Sequence, residues 1–311
     1  MKILIGYDGS KSAEAALDDL QHAGLPADCE ALVLSITEVC FPPQSFNGNA
    51  DVDTEENLRK YFKNNKRVNG EAEIFARHAA DRLRAKLPGW KINSEATFGS
   101  PGWKILEKAD EFAPDLIVVG SQGRSAVNRF CLGSISNKIL TEARVSVRVA
   151  RGMIKPDSLP TCVIVVGFDG SPGAIAAVEA VVTRNWCDAS EIRLIAASGQ
   201  AAPATLGRFV SPIARRVESE ETAENEWIEK LAESSLRILH DAGLAATLHI
   251  IAGNPKQVLI EEAEKWHADS IFVGANSFDS RLEKFLPGST SAAVAARAAC
   301  SVEVVRAKTK Q

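Results

Sequence analysis

An internal repeat, about half the chain in length, is the feature that most constrains how this sequence folds. Residues 162–168 and the Asp169-Gly170-Ser171 that follows repeat residues 1–7 and Asp8-Gly9-Ser10. Later segments match in the same order, among them Gly99-Ser100-Pro101 with Gly253-Asn254-Pro255, Gly133-Ser134 with Gly288-Ser289, and 146–151 with 301–306. The repeating unit is a whole domain, so this is a tandem duplication and not a solenoid. We expect one domain over 1–151, a linker over 152–160 and a second domain over 161–311.

Within each repeat, short apolar segments alternate with helical patterns. In the first repeat, strands are expected at 2–7, 30–37, 91–98, 116–119 and 146–150. This alternation predicts an α/β fold in which two tandem, doubly wound, parallel five-stranded sheets each carry helices on both faces. Ligands of such sheets bind beyond the carboxyl ends of the strands. Asp8, Ile36 and Gly120 should therefore lie around one crevice.

The composition is that of a globular protein, with 45% hydrophobic and 24% charged residues. A formal net charge of −4 at pH 7 gives no sign of a nucleic-acid-binding surface. No apolar run approaches the roughly 20 residues of a membrane span, and the apolar start is broken too soon for a signal peptide. The 6 cysteines show neither a CxxC pair nor zinc spacing, so we expect reduced thiols. These features predict a cytoplasmic protein with neither nucleic-acid nor membrane partners.

The stretch from Gly120 to Ser136 has the composition of a phosphate-binding loop. It follows the apolar run 116–119, contains Gly123, and ends at Gly133-Ser134, where a helical pattern begins. Glycine permits close backbone approach and positive φ, and a helix N-terminus presents unpaired N–H groups and a positive dipole end. A plain strand–loop–helix connection would have a similar composition, so the loop alone leaves both interpretations open.

Taken together, the motifs resemble those of the universal stress protein family. They are Gly-x2-Gly-x9-Gly-Ser after the fourth strand, an aspartate that ends the first strand, Gly-x-Pro before the third helix, and a closing Val-Arg-Val strand. The resemblance covers nearly the whole chain as two copies. It implies an adenine-nucleotide site, usually for ATP with or without Mg²⁺, in a stress-response or regulatory protein.

The resemblance also implies roles for residues of the first repeat. Asp8 would accept hydrogen bonds from the adenine or ribose, Ile36 would pack on the adenine, and backbone amides of Gly120 and Gly123 would wrap the ribose and phosphates. The expected binding residues are Asp8, Ile36, Gly120, Ser121, Gly123, Arg124, Gly133, Ser134, Ile135 and Ser136.

At the end of the loop, Gly133, Ser134 and Ser136 would hold phosphates at the helix N-terminus, with the serine hydroxyls as added donors. For both serines, simple helix capping is compatible with that role. Arg124 and Arg129 would either reach a phosphate oxygen or remain solvated surface charges.

The second repeat departs from the pattern at the same loop. Ser277 replaces the second glycine, Asp279 adds a negative charge where phosphates would lie, and Ala197 replaces Ile36. We expect this half to bind nucleotide weakly or not at all. A weak second site would use Asp169, Gly274, Gly288 and Ser289.

No catalytic residue or metal site can be assigned from the sequence. The histidines are scattered, no Gly-x-Ser-x-Gly elbow occurs, and no Gly-x4-Gly-Lys-[Ser/Thr] loop is present. The acidic cluster within 51–56 is expected to be a solvated loop. The preferred hypothesis is a protein that binds ATP with at most weak hydrolysis. The alternatives are a slow ATPase or nucleotidyl- or phosphoryl-transfer enzyme, and an interaction module that uses no nucleotide.

The resemblance further implies that the two domains pair through their last strands. Strands 146–150 and 301–305 would run antiparallel across a pseudo-twofold axis, so that one chain imitates a dimer. Whether two chains then form a homodimer is left open by the sequence.

Overall fold

The structure, a computed structural model, describes residues 1–38, 53–123, 132–151, 162–199, 220–275 and 289–307, with the backbone alone at 53–69, 220–222 and 289. The expected linker 152–160 lies outside the described residues. So do Arg124, Arg129, Ser277, Asp279 and Gly288.

In the first half, strands and helices alternate as the apolar pattern predicts. Ser10 caps the first helix by accepting a hydrogen bond from the amide of Ala13 at 3.1 Å, and Pro101 opens the third helix, where its missing N–H costs nothing. A 3-10 turn at Leu20–His22 follows the first helix. The elements are β1 (Lys2–Gly6), α1 (Lys11–Asp19), β2 (Glu30–Thr37), α2 (Asp53–Lys86), β3 (Lys91–Phe98), α3 (Pro101–Phe112), β4 (Leu116–Gly120), α4 (Ser134–Glu142) and β5 (Ser146–Ala150).

The second half repeats this order. Ser171 caps its first helix through the amide of Ala174 at 3.1 Å, and Asn254 caps its third through the amide of Lys256 at 3.0 Å. The elements are β6 (Val163–Gly167), α5 (Pro172–Val182), β7 (Glu191–Ser198), α6 (Glu220–Asp241), β8 (Ala245–Ala252), α7 (Pro255–Lys265), β9 (Ser270–Gly274), α8 (Ser289–Arg297) and β10 (Ser301–Val305).

The strands of both halves form one ten-stranded sheet in the order β3-β2-β1-β4-β5-β10-β9-β6-β7-β8. Pairing is parallel within each half and antiparallel between β5 and β10. The predicted α/β class and the antiparallel pairing of the last strands are therefore confirmed, and the two five-stranded sheets are continuous with each other. In the first half the strand order reverses between β1 and β4, which opens a crevice at their carboxyl ends.

The two faces of the sheet are packed differently. On one face, helices α3, α4, α7 and α8 cover a single apolar core that runs across both halves. On the other face, α1 with α2 and α5 with α6 cover two separate apolar cores. The halves thus share one core and keep two of their own.

One arginine from each half binds the last helix of the other half. Arg151 donates to the carbonyls of Ala295 and Ala296 at 2.7 and 3.1 Å, and Arg306 donates to the carbonyl of Leu140 at 2.6 Å. Each guanidinium satisfies carbonyls near a helix C-terminus, where a cation is favoured.

Within the part of the chain that the structure describes, no helix combines the length and the apolarity needed to cross a bilayer.

Candidate functional site

A cavity of about 530 Å³ opens at the carboxyl ends of β1, β2 and β4. Its walls are formed by every residue of the expected first-half site except two. Ser121 does not line it, and Arg124 lies outside the described residues. The expected residues that line it are Asp8, Ile36, Gly120, Gly123, Gly133, Ser134, Ile135 and Ser136.

Further lining residues were not identified from the sequence. They include Tyr7, Ser35, Thr37, Glu38, Glu71, Ala72, Phe75, Pro101, Ile105 and Gln122. Glu71, Ala72 and Phe75 belong to α2. The helical pattern predicted that helix, but it gave no sign that the helix would close one wall of the cavity.

Asp8 shapes the turn that enters α1. Its Oδ1 accepts a hydrogen bond from the amide of Ser10 at 2.9 Å. Asp169 accepts the corresponding bond from the amide of Ser171 at 3.0 Å. The aspartate therefore has the same structural task in both halves, and its presence in the second half does not by itself indicate a ligand.

Gly120 is required for the packing of β4 against α1. A β-carbon on Gly120 would lie 2.8 Å from the carbonyl carbon of Ser12, and one on Gly274 would lie 2.3 Å from that of Gly173. Glycine permits both positive φ and close backbone approach, and the described loop glycines Gly120, Gly123 and Gly133 do not have positive φ. Close approach between backbones explains Gly120 instead.

Gly123 and Gly133 bring the loop close to Asp8. A β-carbon on Gly123 would lie 3.3 Å from Oδ2 of Asp8, inside the cavity. The amide of Gly133 donates to the carbonyl of Ser121 at 2.8 Å, so Ser121 closes the loop through its backbone. Gly123 thus keeps the space beside the Asp8 carboxylate open.

Helix α4 begins at the cavity, and no side chain of the described residues caps it. Its N-cap residue is Gly133, and its first turn contains no acidic residue. The first-turn amides of a helix have no partner within the helix. No capping side chain from the described part of the chain occupies them, in contrast to α1 and α5 with their capping serines. The end of α4 is therefore a site suited to an anion.

The two serines of that first turn have different surroundings. Ser134 is exposed and lines the cavity. Ser136 is buried, and its hydroxyl donates to the carbonyl of Gly120 at 2.7 Å. A hydroxyl has one proton to donate, so Ser136 holds the end of β4 in place and its hydroxyl proton is already engaged.

The remaining walls combine apolar surface with carboxylates. Ile36, Phe75 and Ile105 provide apolar area, while Asp8, Glu38 and Glu71 provide carboxylate oxygens. An apolar wall with a few placed polar groups is typical of small-molecule sites. Among the described lining residues there is no lysine or arginine.

In the second half, α6 carries a larger side chain at one position where α2 borders the cavity. When the helices are aligned on their buried leucines, Leu83 and Leu239, Ile228 stands at the position of Ala72. Leu231 stands at the position of Phe75, and its Cδ1 would lie 2.8 Å from a β-carbon placed on Gly170. Asp169 and Gly274 are in place, while most of the loop that would follow, 276–288, lies outside the described residues.

Among the residues that the structure describes, no group of three or more His, Cys, Asp or Glu side chains could hold a metal ion. The loop expected at 51–56 is wrong from Asp53 onward, because α2 begins there, and the side chains of this acidic cluster lie outside the described ones. Of the cysteines, Cys29, Cys162, Cys187 and Cys300 are described, and none of these four is in a disulfide.

A family model for the universal stress protein family matches residues 1–151 and 163–306, which is most of the chain in two copies. The chain belongs to the universal stress protein family. The two matched ranges correspond to the two halves of the ten-stranded sheet.

Individual universal stress proteins are distant in sequence. Universal stress protein Rv2005c of Mycobacterium tuberculosis is 27% identical over 210 residues, 62% of this chain and 66% of that protein. The matched part thus spans slightly less than two thirds of that relative. A universal stress protein from Archaeoglobus fulgidus shares the fold, with a TM-score of 0.64, 22% identity and 98% coverage of both chains.

A universal stress protein family member from Arabidopsis thaliana was solved with AMP bound. It overlaps 47% of this chain and 93% of its own, with 19% identity and a TM-score of 0.33. An overlap of this extent concerns one half of the sheet and carries no information on the ligand of this chain.

Proposed function

We propose that this universal stress protein binds an adenine nucleotide, ATP foremost, in the first-half cavity, and that it acts as a nucleotide-dependent regulatory protein of the stress response without fast turnover. The observation that carries the proposal is the start of α4. Its first turn begins at Gly133, has no side-chain cap among the residues that the structure describes, and opens into a cavity next to the Asp8 carboxylate. The amides at the start of α4 suit a phosphate, and the Asp8 carboxylate suits groups that donate hydrogen bonds.

The size of the cavity supports this ligand class. A volume of about 530 Å³ falls within the roughly 300–1,000 Å³ that is usual for small-molecule sites. In the proposed pose, Ile36 and Phe75 contact the base, and Asp8 accepts hydrogen bonds from the ribose or base. Amides of Gly123 and of the first turn of α4 bind the phosphates, and Mg²⁺ would enter with them.

The proposal gives the two glycines and two serines of the loop separate tasks. Gly123 leaves room for the ligand, whereas Gly120 allows β4 to pack on α1. Ser134 offers its hydroxyl to a phosphate, whereas Ser136 holds Gly120. Arg124 remains a proposed phosphate contact on the strength of its place in the sequence.

For the second half we propose weak binding or none. The β-branched Ile228 replaces the small Ala72, and the sequence places Ser277 and Asp279 in the loop. Either change reduces the space or the electrostatic preference for a phosphorylated ligand.

Calorimetric titration of the full chain with ATP and AMP, with and without Mg²⁺, tests the proposal. We expect one site per chain. Asp8→Ala should remove measurable binding, while Asp169→Ala should leave it unchanged. The two variants lose the same turn hydrogen bond, so Asp169→Ala controls for damage to the fold.

The complementary variant is Gly123→Val, which adds a branched side chain beside Asp8 and should remove binding while the circular dichroism spectrum stays that of the wild type. Absence of ATP and AMP binding to the wild-type chain would overturn the proposal. ATP turnover above about 1 s⁻¹ under saturation is a rate typical of enzymes, and it would show that the protein acts as a catalyst and not as a regulatory protein.

A further inference from the structure

The pairing of β5 with β10, here called the seam, is apolar on one side of the sheet and charged on the other. Val147 and Val149 face Val304 and Val302 in register, and all four are buried in the shared core. Between them, Arg148 stands opposite Glu303. Because side chains alternate along a strand, this pair points to the other face, where the two halves keep separate cores.

Four buried charges lie in a row across the seam on that face. They form the charged quartet Asp19, Arg148, Glu303 and Arg184. Arg148 binds Asp19 through two hydrogen bonds of 2.6 and 2.9 Å, and Arg184 donates to Glu303. Each half therefore brings one internal ion pair to the seam, and the signs alternate along the row.

Contacts across the seam complete the quartet. Nη1 of Arg148 and Oε2 of Glu303, neither of which has a hydrogen bond, lie 3.6 Å apart. Arg148 also donates to the hydroxyl of Ser270 at 2.8 Å, and Ser301 donates to Asp19 at 2.6 Å. Each ion pair is neutral within its own half, and the pairing of unlike halves places Nη1 of Arg148 beside the opposite charge of Glu303.

We infer that the seam is built to accept the unlike half of this chain and to reject a second copy of the same half. Arg148 and Glu303 occupy the same position of the two repeats, at the centre of the antiparallel register. If two first halves paired through β5, Arg148 would face another Arg148, and its unbonded Nη1 would lose the carboxylate. Each Arg148 would keep Asp19, but two buried guanidinium groups would face each other, and like charges directly opposite are destabilising.

The neighbours of the quartet favour the same choice. In a pair of first halves, Leu116 would take the place of Ser270, because Leu116 pairs with Ser146 as Ser270 pairs with Ser301. The side chain of Leu116 has no hydrogen-bond acceptor for Arg148. In a pair of second halves, Glu303 would face Glu303. The place of Asp19, nine residues after the capping serine, would then be taken by Ala180.

The apolar side of the seam has no such preference, because valine faces valine in every combination. Selection therefore rests on the charged side, by repulsion in the wrong pair as well as attraction in the right one. It follows that two intact chains would not associate by pairing β5 with β5 or β10 with β10.

The test uses the full chain, with a protease site placed within 152–160 between the proposed domains and cut after folding. Light and ¹⁵N-labelled preparations are mixed and allowed to exchange halves, with refolding from denaturant where exchange is slow. Native mass spectrometry then counts like and unlike pairs. We expect like pairs at least about tenfold below their statistical share, because like charges directly opposite are destabilising.

The Arg148→Gln, Glu303→Gln double variant removes the central charges and should raise like pairs towards the statistical share. Removing an exposed pair, Lys138→Gln with Glu142→Gln, should leave the wild-type distribution. The wild-type experiment alone can overturn the inference. It does so if like pairs reach their statistical share, or if only unpaired halves are recovered.

Discussion

Gly120 at the end of β4 touches the backbone of Ser12 in α1, with room for a hydrogen atom and none for a methyl group. The same contact recurs between Gly274 and Gly173 in the second half. Since the second half carries a changed loop, this glycine serves the packing of helix on sheet and cannot be taken as a mark of nucleotide binding. Within the described loop, Gly123 is the glycine that borders free space at Asp8.

Gly120→Ala should therefore destabilise the protein. Overpacking in a well-packed interior costs about 1–3 kcal/mol, and the contact here is with backbone, which cannot rotate away. Gly274→Ala should have a similar cost. Urea unfolding of both variants measures the effect.

The control is Gly70→Ala in α2, where a β-carbon meets no described atom within 4 Å. Alanine is favoured over glycine inside a helix by about 0.5–1 kcal/mol, so this variant should be slightly more stable than the wild type. A Gly120→Ala variant as stable as the wild type would show that β4 and α1 can separate without cost.

Ser134→Ala and Ser136→Ala should differ in what they damage. Ser136→Ala removes the donor to the buried carbonyl of Gly120, which should lower the free energy of unfolding by about 1–2 kcal/mol and change ATP affinity little. Ser134→Ala should leave stability unchanged and weaken ATP binding several-fold. Thermal denaturation and calorimetric titration of both variants give the four values, and an exchange of the two effects would refute the assignment.

Ala72→Ile should make the first half resemble the second. The substitution introduces the residue of the equivalent position, Ile228, into the wall of the cavity. We expect ATP affinity to fall at least about tenfold, because the added carbons occupy space that a ligand needs. Ala72→Ser, which adds a single atom, should retain binding. Unchanged affinity in Ala72→Ile would place the ligand away from α2.

Cys300 should make the protein less stable in alkali. Burial raises the pKa of this thiol from 9.0 to about 12. The unfolded chain therefore loses this proton first as pH rises, so the stabilising contribution is complete below pH 9.0 and is lost towards pH 12. The slope from this group is at most about 1.4 kcal/mol per pH unit.

The measurement is the urea midpoint between pH 8 and pH 11 for the wild type and for Cys300→Ala. The variant starts less stable, because it leaves a cavity, but it should show a shallower decline. The decline of the urea midpoint is also measured for Cys29→Ala, because burial raises the pKa of the Cys29 thiol as well. Equal declines in the wild type and Cys300→Ala would show that other groups dominate the alkaline transition.

Much of the fold could be predicted because its causes are local. Apolar runs, capping serines and Gly-x-Pro openings fix strands and helices through interactions within a few residues. Asp8, Ile36 and Gly120 are far apart in sequence, yet parallel strands with helical crossovers bring them to one edge of the sheet.

The parts that could not be predicted depend on which face of an element meets another element. Helical spacing predicted the second helix without showing that Ala72 and Phe75 would face the cavity. Two serines two residues apart in the same motif looked alike in the sequence, but Ser136 turns inward to Gly120 and Ser134 does not.

The sequence by itself determined the family, the duplication and the α/β class, because these depend on periodicity and on motifs that repeat. Tertiary structure alone decided the task of each residue within them. Gly120 is a packing contact. In the sequence, Arg148 and Glu303 are only a difference between the two repeats, whereas in the structure they form a buried pair across the seam. The physical reason is that burial and charge balance arise only when distant segments meet and exclude water.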